Sequence, residues 1–468
     1  MALATANLAQ LRYIVESTYG TTPATGNSNN LRMTGESLTF AVTSETSKEI
    51  RADRQVTDLV LTGASASGGF NFEQSYKEYD DLYEGVLQGS WVGANDVTGI
   101  SATITLTNTI TASAGTPFAG IVVGQQVKFS GFTNAVNNQP FTVLTASATV
   151  ITVSGTPFVN EGPSTVSFTS FGRTTLSCTT TLGTTLTAAT GAPFANVVAG
   201  QYILISGMPT AGNNGLKKVV SKTSSTVLVF AAATFPANET GATTTVSSSR
   251  LTNGTTQRSF TFEKSFTDIG QSFLYRGMTS SKMDLNFASG AIVTGTFDFL
   301  GKDSSRASVS GPNYTQLPGT PVASDTYDVT NAVTGVGNVL ENGVTLAGTY
   351  IKSLKLSIDN KLRGRTAIGT LGNVSVGAGA VSVTGTIEVY LADGTMYDKF
   401  INNTATSISW TVQDGAGNGY ALNLPKVKYS DAKVAAGATD TDCLISMPFT
   451  ALMDATTGKE LIIDRFGA

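Results

Sequence analysis

The chain of 468 residues contains no histidine. That absence excludes Ser-His-Asp and Cys-His catalysis and any His-ligated metal site. Charge is scarce as well. Asp, Glu, Lys and Arg make up 13% of the residues, about half the roughly 25% of an ordinary soluble protein. The 29 basic and 33 acidic side chains leave a net charge of −4, which argues against a nucleic-acid grip built on a basic patch. Two cysteines, Cys178 and Cys443, make no disulfide framework and are expected as buried free thiols. The longest apolar run, 227–233, falls far short of a bilayer span of about 20 residues, so no membrane association is expected. The segment MALATANLAQLRYIVESTYG has no basic region ahead of an apolar stretch. It does not read as a secretory signal, and a soluble cytoplasmic product is expected.

Apolar residues are an ordinary 41%, and Gly (49), Thr, Ser and Ala fill the place of the missing charge. Such a surface suits a molecule covered by neighbours better than a free monomer. Short runs of alternating apolar and polar residues, bounded by Gly, Asn, Asp or Pro, read as strands. Examples lie at 37–42, 69–73, 294–300, 353–358 and 383–391. Helical spacing is rare. In SYKEYDDLYEGVLQG (75–89), Tyr79, Leu82, Tyr83, Val86 and Leu87 share one stripe, with Ser75 as expected N-cap, Glu78 three residues on and Gly89 as stop. A shorter helix is expected in DGTMYDKFINN, with Met396, Tyr397, Phe400 and Ile401 on one face.

Two internal repeats set the architecture. GTPFAGIVVGQQVKFSG at Gly115 recurs as GAPFANVVAGQYILISG at Gly191, and 13 of 31 positions are identical without a gap. Asn137-Asn138 and Asn213-Asn214 read as hairpin turns, because Asn tolerates positive φ. These segments define two small all-β modules, 97–172 and 173–249. A weaker repeat flanks them. Ser37-Leu-Thr-Phe40 resembles Ser353-Leu-Lys-Leu356, and Gly68, Phe70 and Phe72 match Gly385, Ile387 and Val389. A helix follows in each copy, then a strand pair: SFTFEKSF and SFLYRGMTSSKMDL match SISWTVQD and GYALNLPKVKYSDA. Copy one is therefore expected at 31–96 plus 250–306, and copy two at 340–468. Residues 1–30 form an N-terminal arm and 307–339 a linker. The fold class expected is mainly β: a duplicated β-sandwich with a flanking helix, plus two inserted all-β modules.

No constellation of catalytic residues stands out, and the chain is expected to be no enzyme. Glu78, Asp80 and Asp81 read as a solvated or capping group at a helix start. Gly-rich GAGAVSVTG has no GKS or GKT after it and is no phosphate loop. Asp454 and Asp464 lack metal-ligand spacing. No cofactor is expected.

Three segments then point to a family. LRYIVESTYGTTP, EIRADRQVTDLVLTGASASGGFNFEQSYKEYDDLYEGVLQG, and VTGTIEVYLADGTMYDKF with LPKVKYS resemble, in that order, the major tail tube proteins of long, non-contractile bacteriophage tails. The resemblance covers about 1–96 and 250–468 and leaves out the paired modules. It implies a β-sandwich tube domain whose copies close into rings, stacked as a conduit for DNA ejection. Most members carry one tube domain and form hexamers. A duplicated unit implies trimers with pseudo-sixfold symmetry. The resemblance also implies tape measure and tail terminator partners, assembly in the host cytoplasm and residence in the virion. DNA would pass without specific binding. The alternative is a secreted or surface-exposed β-repeat adhesin, which Thr- and Gly-rich repeats also fit.

On this reading, Glu73, Asp298 and Glu388 alternate with core-facing residues and line the channel, repelling DNA phosphates. Leu11, Tyr13 and Tyr19 are apolar anchors on an arm that reaches an adjacent ring. Glu49, Arg51 and Arg54 in one loop, and Arg363 and Arg365 in another, contact stacked rings. An insertion of about 150 residues needs a surface loop with close ends, so the modules are expected outside the tube.

Overall fold

The structure, a computed structural model, describes residues 3–467 apart from 156, 182, 312, 338, 346–349 and 437–438. The chain forms two compact units. The first holds Met1–Gly89, Asn253–Asp414 and Asn423–Leu461, and the second Ser90–Thr252, Gly415–Leu422 and Ile462–Ala468.

The strands that matter in the first unit are, in chain order, β1 (Ala9–Val15), β2 (Thr39–Thr46), β3 (Leu59–Glu73), β4 (Phe260–Phe266), β5 (Gln271–Ala288), β6 (Thr294–Leu300) and β7 (Asp303–Ser308) of copy one. Copy two supplies β8 (Ile351–Asp359), β9 (Ser382–Tyr390), β10 (Gly419–Tyr429, of which 423–429 belong to this unit), β11 (Lys433–Ala435) and β12 (Leu444–Ala451). Helices α1 (Asp80–Leu87) and α2 (Thr395–Ile401) follow β3 and β9.

Copy one is a sandwich. One layer is β1–β4–β5–β7, using the first half of β5. The other is β2–β3–β6–β5, using its second half. Alternation drives the layers together, because every second side chain is apolar and must leave water. Phe70, Phe72, Phe260, Phe262, Phe297 and Phe299 fill the gap, each at most 2% exposed. Their rings pack at centroid distances such as 4.7 Å for Phe262–Phe299 and 5.0 Å for Phe72–Phe297, each contact worth about 0.5–1.5 kcal/mol beyond burial.

Helix α1 buries the expected stripe of Leu82, Tyr83, Val86 and Leu87. Its start is later than expected. Ser75 is bridged to Val329, and the Glu78 carboxylate accepts hydrogen bonds from Arg32 N (2.9 Å) and Asp325 N (2.8 Å), tying down two distant segments instead of a capping box. Gln88, in the left-handed region at φ 50°, ends the helix in place of Gly89.

The N-terminal segment is no free arm. All of β1 pairs antiparallel with β4, from Ala9–Phe266 to Val15–Phe260. The Glu16 carboxylate accepts from Gly20 N (2.7 Å), Ser259 Oγ (2.7 Å), Thr261 Oγ1 (2.7 Å) and Gly277 N (2.9 Å). Glu263, fully buried, accepts from Ser272 Oγ and Gln316 N, both at 2.6 Å, with Arg12 3.7 Å away. A carboxylate so enclosed is costly to bury without such donors.

The second unit contains two closed six-stranded barrels with the same strand order. Strands at 97–105, 109–112, 126–130, 140–146, 150–153 and 161–169 recur at 173–181, 185–188, 202–206, 215–224, 227–230 and 239–247. Each barrel has its own core, centred on Phe118, Phe129 and Phe168 in one and on Phe194, Ile203 and Leu228 in the other. Cys178 lies in the second core, where burial pushes its thiol up to about 11, whereas Cys443 is exposed, contrary to expectation. The Asn pairs act through their side chains, not through positive φ. Asn138 accepts from Phe132 N (3.0 Å) and donates to Phe132 O (2.9 Å), and Asn214 does the same with Met208 at 2.9 and 2.8 Å. The ends of the insertion lie together. Ser249 pairs with Gly93, and 249–252 pair with 462–465, where Arg250 binds Asp464 at 2.6 Å.

Candidate functional site

Functional interest centres on one sheet that runs through both copies without a break: β2–β3–β6–β5–β8–β9–β12–β11. The four strands of copy one are followed by four of copy two in the same order. The copies meet at β5 and β8, paired from Lys282–Asp359 to Ala288–Ser353. Registers confirm the repeat. With Gly68 matched to Gly385, Phe299 corresponds to Phe449, since each stands opposite its glycine. Ser280 then corresponds to Tyr429, and Asp284 to Lys433. Even the irregularity recurs: the register of β5 shifts between Ser280 and Lys282, and copy two breaks between β10 and β11 at the same point. One detail of the sequence match moves. Thr39 corresponds to Ser357, two residues away from the sequence alignment of 37–40 with 353–356. A strand shifted by two keeps every side chain on its face, so sequence pattern alone does not distinguish the two alignments.

One face of this sheet is core. Phe70, Phe72, Met283, Leu285, Phe297, Leu356, Ile358, Ile387 and Val389 are all buried there. The alternate residues form the opposite face. Rows cross it strand by strand: Gly69–Asp298–Lys282–Asp359–Ser382, then Asn71–Thr296–Asp284–Ser357–Thr384, then Glu73–Thr294–Asn286–Lys355–Thr386. Glu73, Asp298 and Glu388 all lie on this face, half-buried among their neighbours. The sequence reading missed that Lys282, Asp284, Lys355 and Asp359 join them, although SSKMDLNFA carries the alternation that places the first two. The face is rich in hydroxyls and nearly balanced in charge. Lys282 Nζ sits 2.8 Å from Asp284, which raises the lysine's pKa, and Lys352 lies 3.9 Å from Glu388. The Asp298 carboxyl is held above its usual range, first by partial burial and then by Asp284, with Lys282 acting in the opposite direction.

The expected contact residues divide. Leu11 and Tyr13 are 2% and 4% exposed and belong to their own chain's core. The Tyr13 hydroxyl donates to Asp81 at 3.1 Å, and burial raises its pKa. Tyr19 is half-buried. Glu49, Arg51 and Arg54 stand exposed on the loop between β2 and β3, where Thr57 donates to Glu49 (3.0 Å) and Arg51 pairs with Asp53 (2.7 Å). Arg363 and Arg365 are exposed on a small ribbon, 363–365 against 375–377, between β8 and β9.

The two hairpins that carry these loops differ. Every residue of β2 is exposed, as are Leu59, Val60 and Leu61 of β3. The β8–β9 loop is seated on copy one instead. Asn360 donates to Val86 O (2.8 Å) and Ser280 O (3.0 Å), Asn373 to Gly301 O (2.8 Å), and Ala64 N donates to Leu371 O (2.8 Å).

Among the described residues no cluster of His, Cys, Asp and Glu could hold a metal ion, and no helix is long and apolar enough to cross a membrane. Comparison with curated proteins gives no match. The phage tail tube protein family, in contrast, matches residues 6–214 and 222–451, nearly the whole chain. With a duplicated sandwich and one extended sheet running through both copies, this chain belongs to the phage tail tube protein family.

Proposed function

We propose that three chains close into a ring of six equivalent sandwich units, that rings stack into the tube of a long, non-contractile phage tail, and that DNA leaves through the bore. The observation that carries this reading is the seam between β5 and β8: within one chain it already joins two equivalent units edge to edge. Repeating that step is the simplest way to use the sheet edges that remain, and unused edges are an aggregation hazard. The polar face of the sheet then lines the bore. Its hydroxyls and near balance of charge suit a conduit, because a surplus of cations would hold phosphates. The tape measure and terminator proteins implied by the resemblance would meet the tube inside and at its end. The paired modules would decorate its outside.

The test is a micrograph of purified protein with native mass of single rings. Rings of three chains are expected. Six chains per ring would overturn the stoichiometry, and isolated beads would favour the adhesin alternative.

A further inference from the structure

Among the described residues, β2 pairs only with β3, and β11 only with β12, so each leaves one backbone edge open. Beside the β11 edge lies a shallow, mainly apolar groove lined by Leu391, Ala392, Tyr397, Ala432 and Val434, with Asp393 and Gly394 completing its wall. The corresponding place in copy one is filled. There β8 lies along β5, and α1 packs over both. Its Ile358 and Leu356 are 0% and 1% exposed. Phe40 corresponds to Ile358 and is 37% exposed; Val434 corresponds to Leu285 and is 46% exposed. Copy one therefore shows the filled form of a site that copy two leaves empty.

We propose that the occupant is a second copy of this chain, whose β2 pairs antiparallel with 431–435 in a fixed register. Thr39 stands opposite Lys433 and Phe40 opposite Ala432; Leu38, just ahead of β2 and already buried within its own chain at 4% exposure, falls opposite Val434. This deepens the ring reading and rests on it. The register is the internal seam transferred residue by residue: Asp284–Ser357, Met283–Ile358 and Leu285–Leu356 become the three pairs just named. Composition supports the transfer. Both core-side pairs remain apolar, and the bulk lost from Met283 to Ala432 is restored from Ile358 to Phe40. The outward pair remains polar. Phe40 enters the groove beside Tyr397, and the apolar edge of the exposed hairpin leaves water.

Full-length chain with Cys443→Ser provides the background, since Cys178 is buried. Thr39→Cys with Lys433→Cys is oxidised after assembly and run on a denaturing gel. Covalent dimers and trimers are expected from the double variant and from neither single one, and Thr43→Cys with Lys433→Cys should cross-link at least tenfold less. Rings or tubes that form without the 39–433 cross-link would overturn the register while leaving the ring reading intact. A parent protein that never assembles would overturn both. A second measurement needs no disulfide. Phe40→Asp should abolish assembly with an unchanged melting temperature of the free chain, and Phe40→Leu should retain it. Tubes from Phe40→Asp at the parent yield would also overturn the proposal.

Discussion

In copy two the hairpin of β8 and β9 is part of a folded whole; in copy one the hairpin of β2 and β3 stands clear of it. The same strand order and the same antiparallel pairing give a seated loop in one place and an exposed ribbon in the other. The helices show the reverse asymmetry. α1 buries its stripe, whereas α2 buries only Met396 and leaves Tyr397 at 40% and Ile401 at 60% exposure. What copy one lacks at its hairpin, copy two lacks at its helix. Copy one has the covered helix and the open hairpin, and copy two the seated hairpin and the open helix.

Substitutions can break this comparison. The largest effect is expected inside the complete junction. Leu82→Ala should cost about 2–5 kcal/mol by leaving a cavity in a closed core. Ile401→Ala on α2 should cost the free chain about 0.5 kcal/mol or less. Urea unfolding of both variants checks the pair, and equal losses would mean that the helices are equally covered. Next comes Asn360→Ala, which leaves the carbonyls of Val86 and Ser280 without their donor. A loss of about 1–3 kcal/mol is expected. Val42→Ala, at the corresponding position of the exposed hairpin, should be nearly silent in the same assay.

Smaller effects sharpen the polar face. Changing Glu73, Asp298 and Glu388 together to Lys should slow DNA release a few-fold at low salt, about 1 kcal/mol in barrier, with partial rescue as screening shortens. Release from particles carrying the variant tube, timed by fluorescence at two ionic strengths, decides this. An unchanged rate would place the carboxylates away from the DNA. The smallest effect is one of pH. The folded-state pKa of Asp298 is raised, so the folded chain holds a proton that the unfolded chain has already released. Stability from this group is present at acid pH and is lost as pH rises through the raised value. Asp298→Asn should therefore be slightly stabilising at pH 7, by less than about 0.5 kcal/mol, and neutral at acid pH. Denaturation midpoints at the two pH values give the answer.

Much of this was legible in residues. The barrels follow from a repeat with no gap over its strongest stretch, and the sandwich core from alternation at Phe70–Phe72 and Phe297–Phe299. Glu73, Asp298 and Glu388 share a face because strand period fixes which side each one takes. Other features were hidden by the same physics. A two-residue register shift preserves the alternation, so the correspondence of Thr39 with Ser357 appears only once the pairing is seen. Leu11 and Tyr13 read as isolated anchors, because their partners in β4 lie some 250 residues away in sequence. Glu78 fits a capping box by spacing, but its acceptor atoms are used by two backbone amides that no local pattern announces. The seam between β5 and β8 had no sequence signal beyond the order of elements.

One strand bears on geometric accuracy. β5 is 18 residues long, and it pairs with β4 and β7 at one end and with β6 and β8 at the other. Moving it by one residue, about 3.3 Å, would break four pairings together. A closed ring tolerates little error per joint, because each deviation is added at the next joint and the last gap must vanish. In the proposed ring, a shared strand that locks four neighbours at once would keep that error small before a second chain joins.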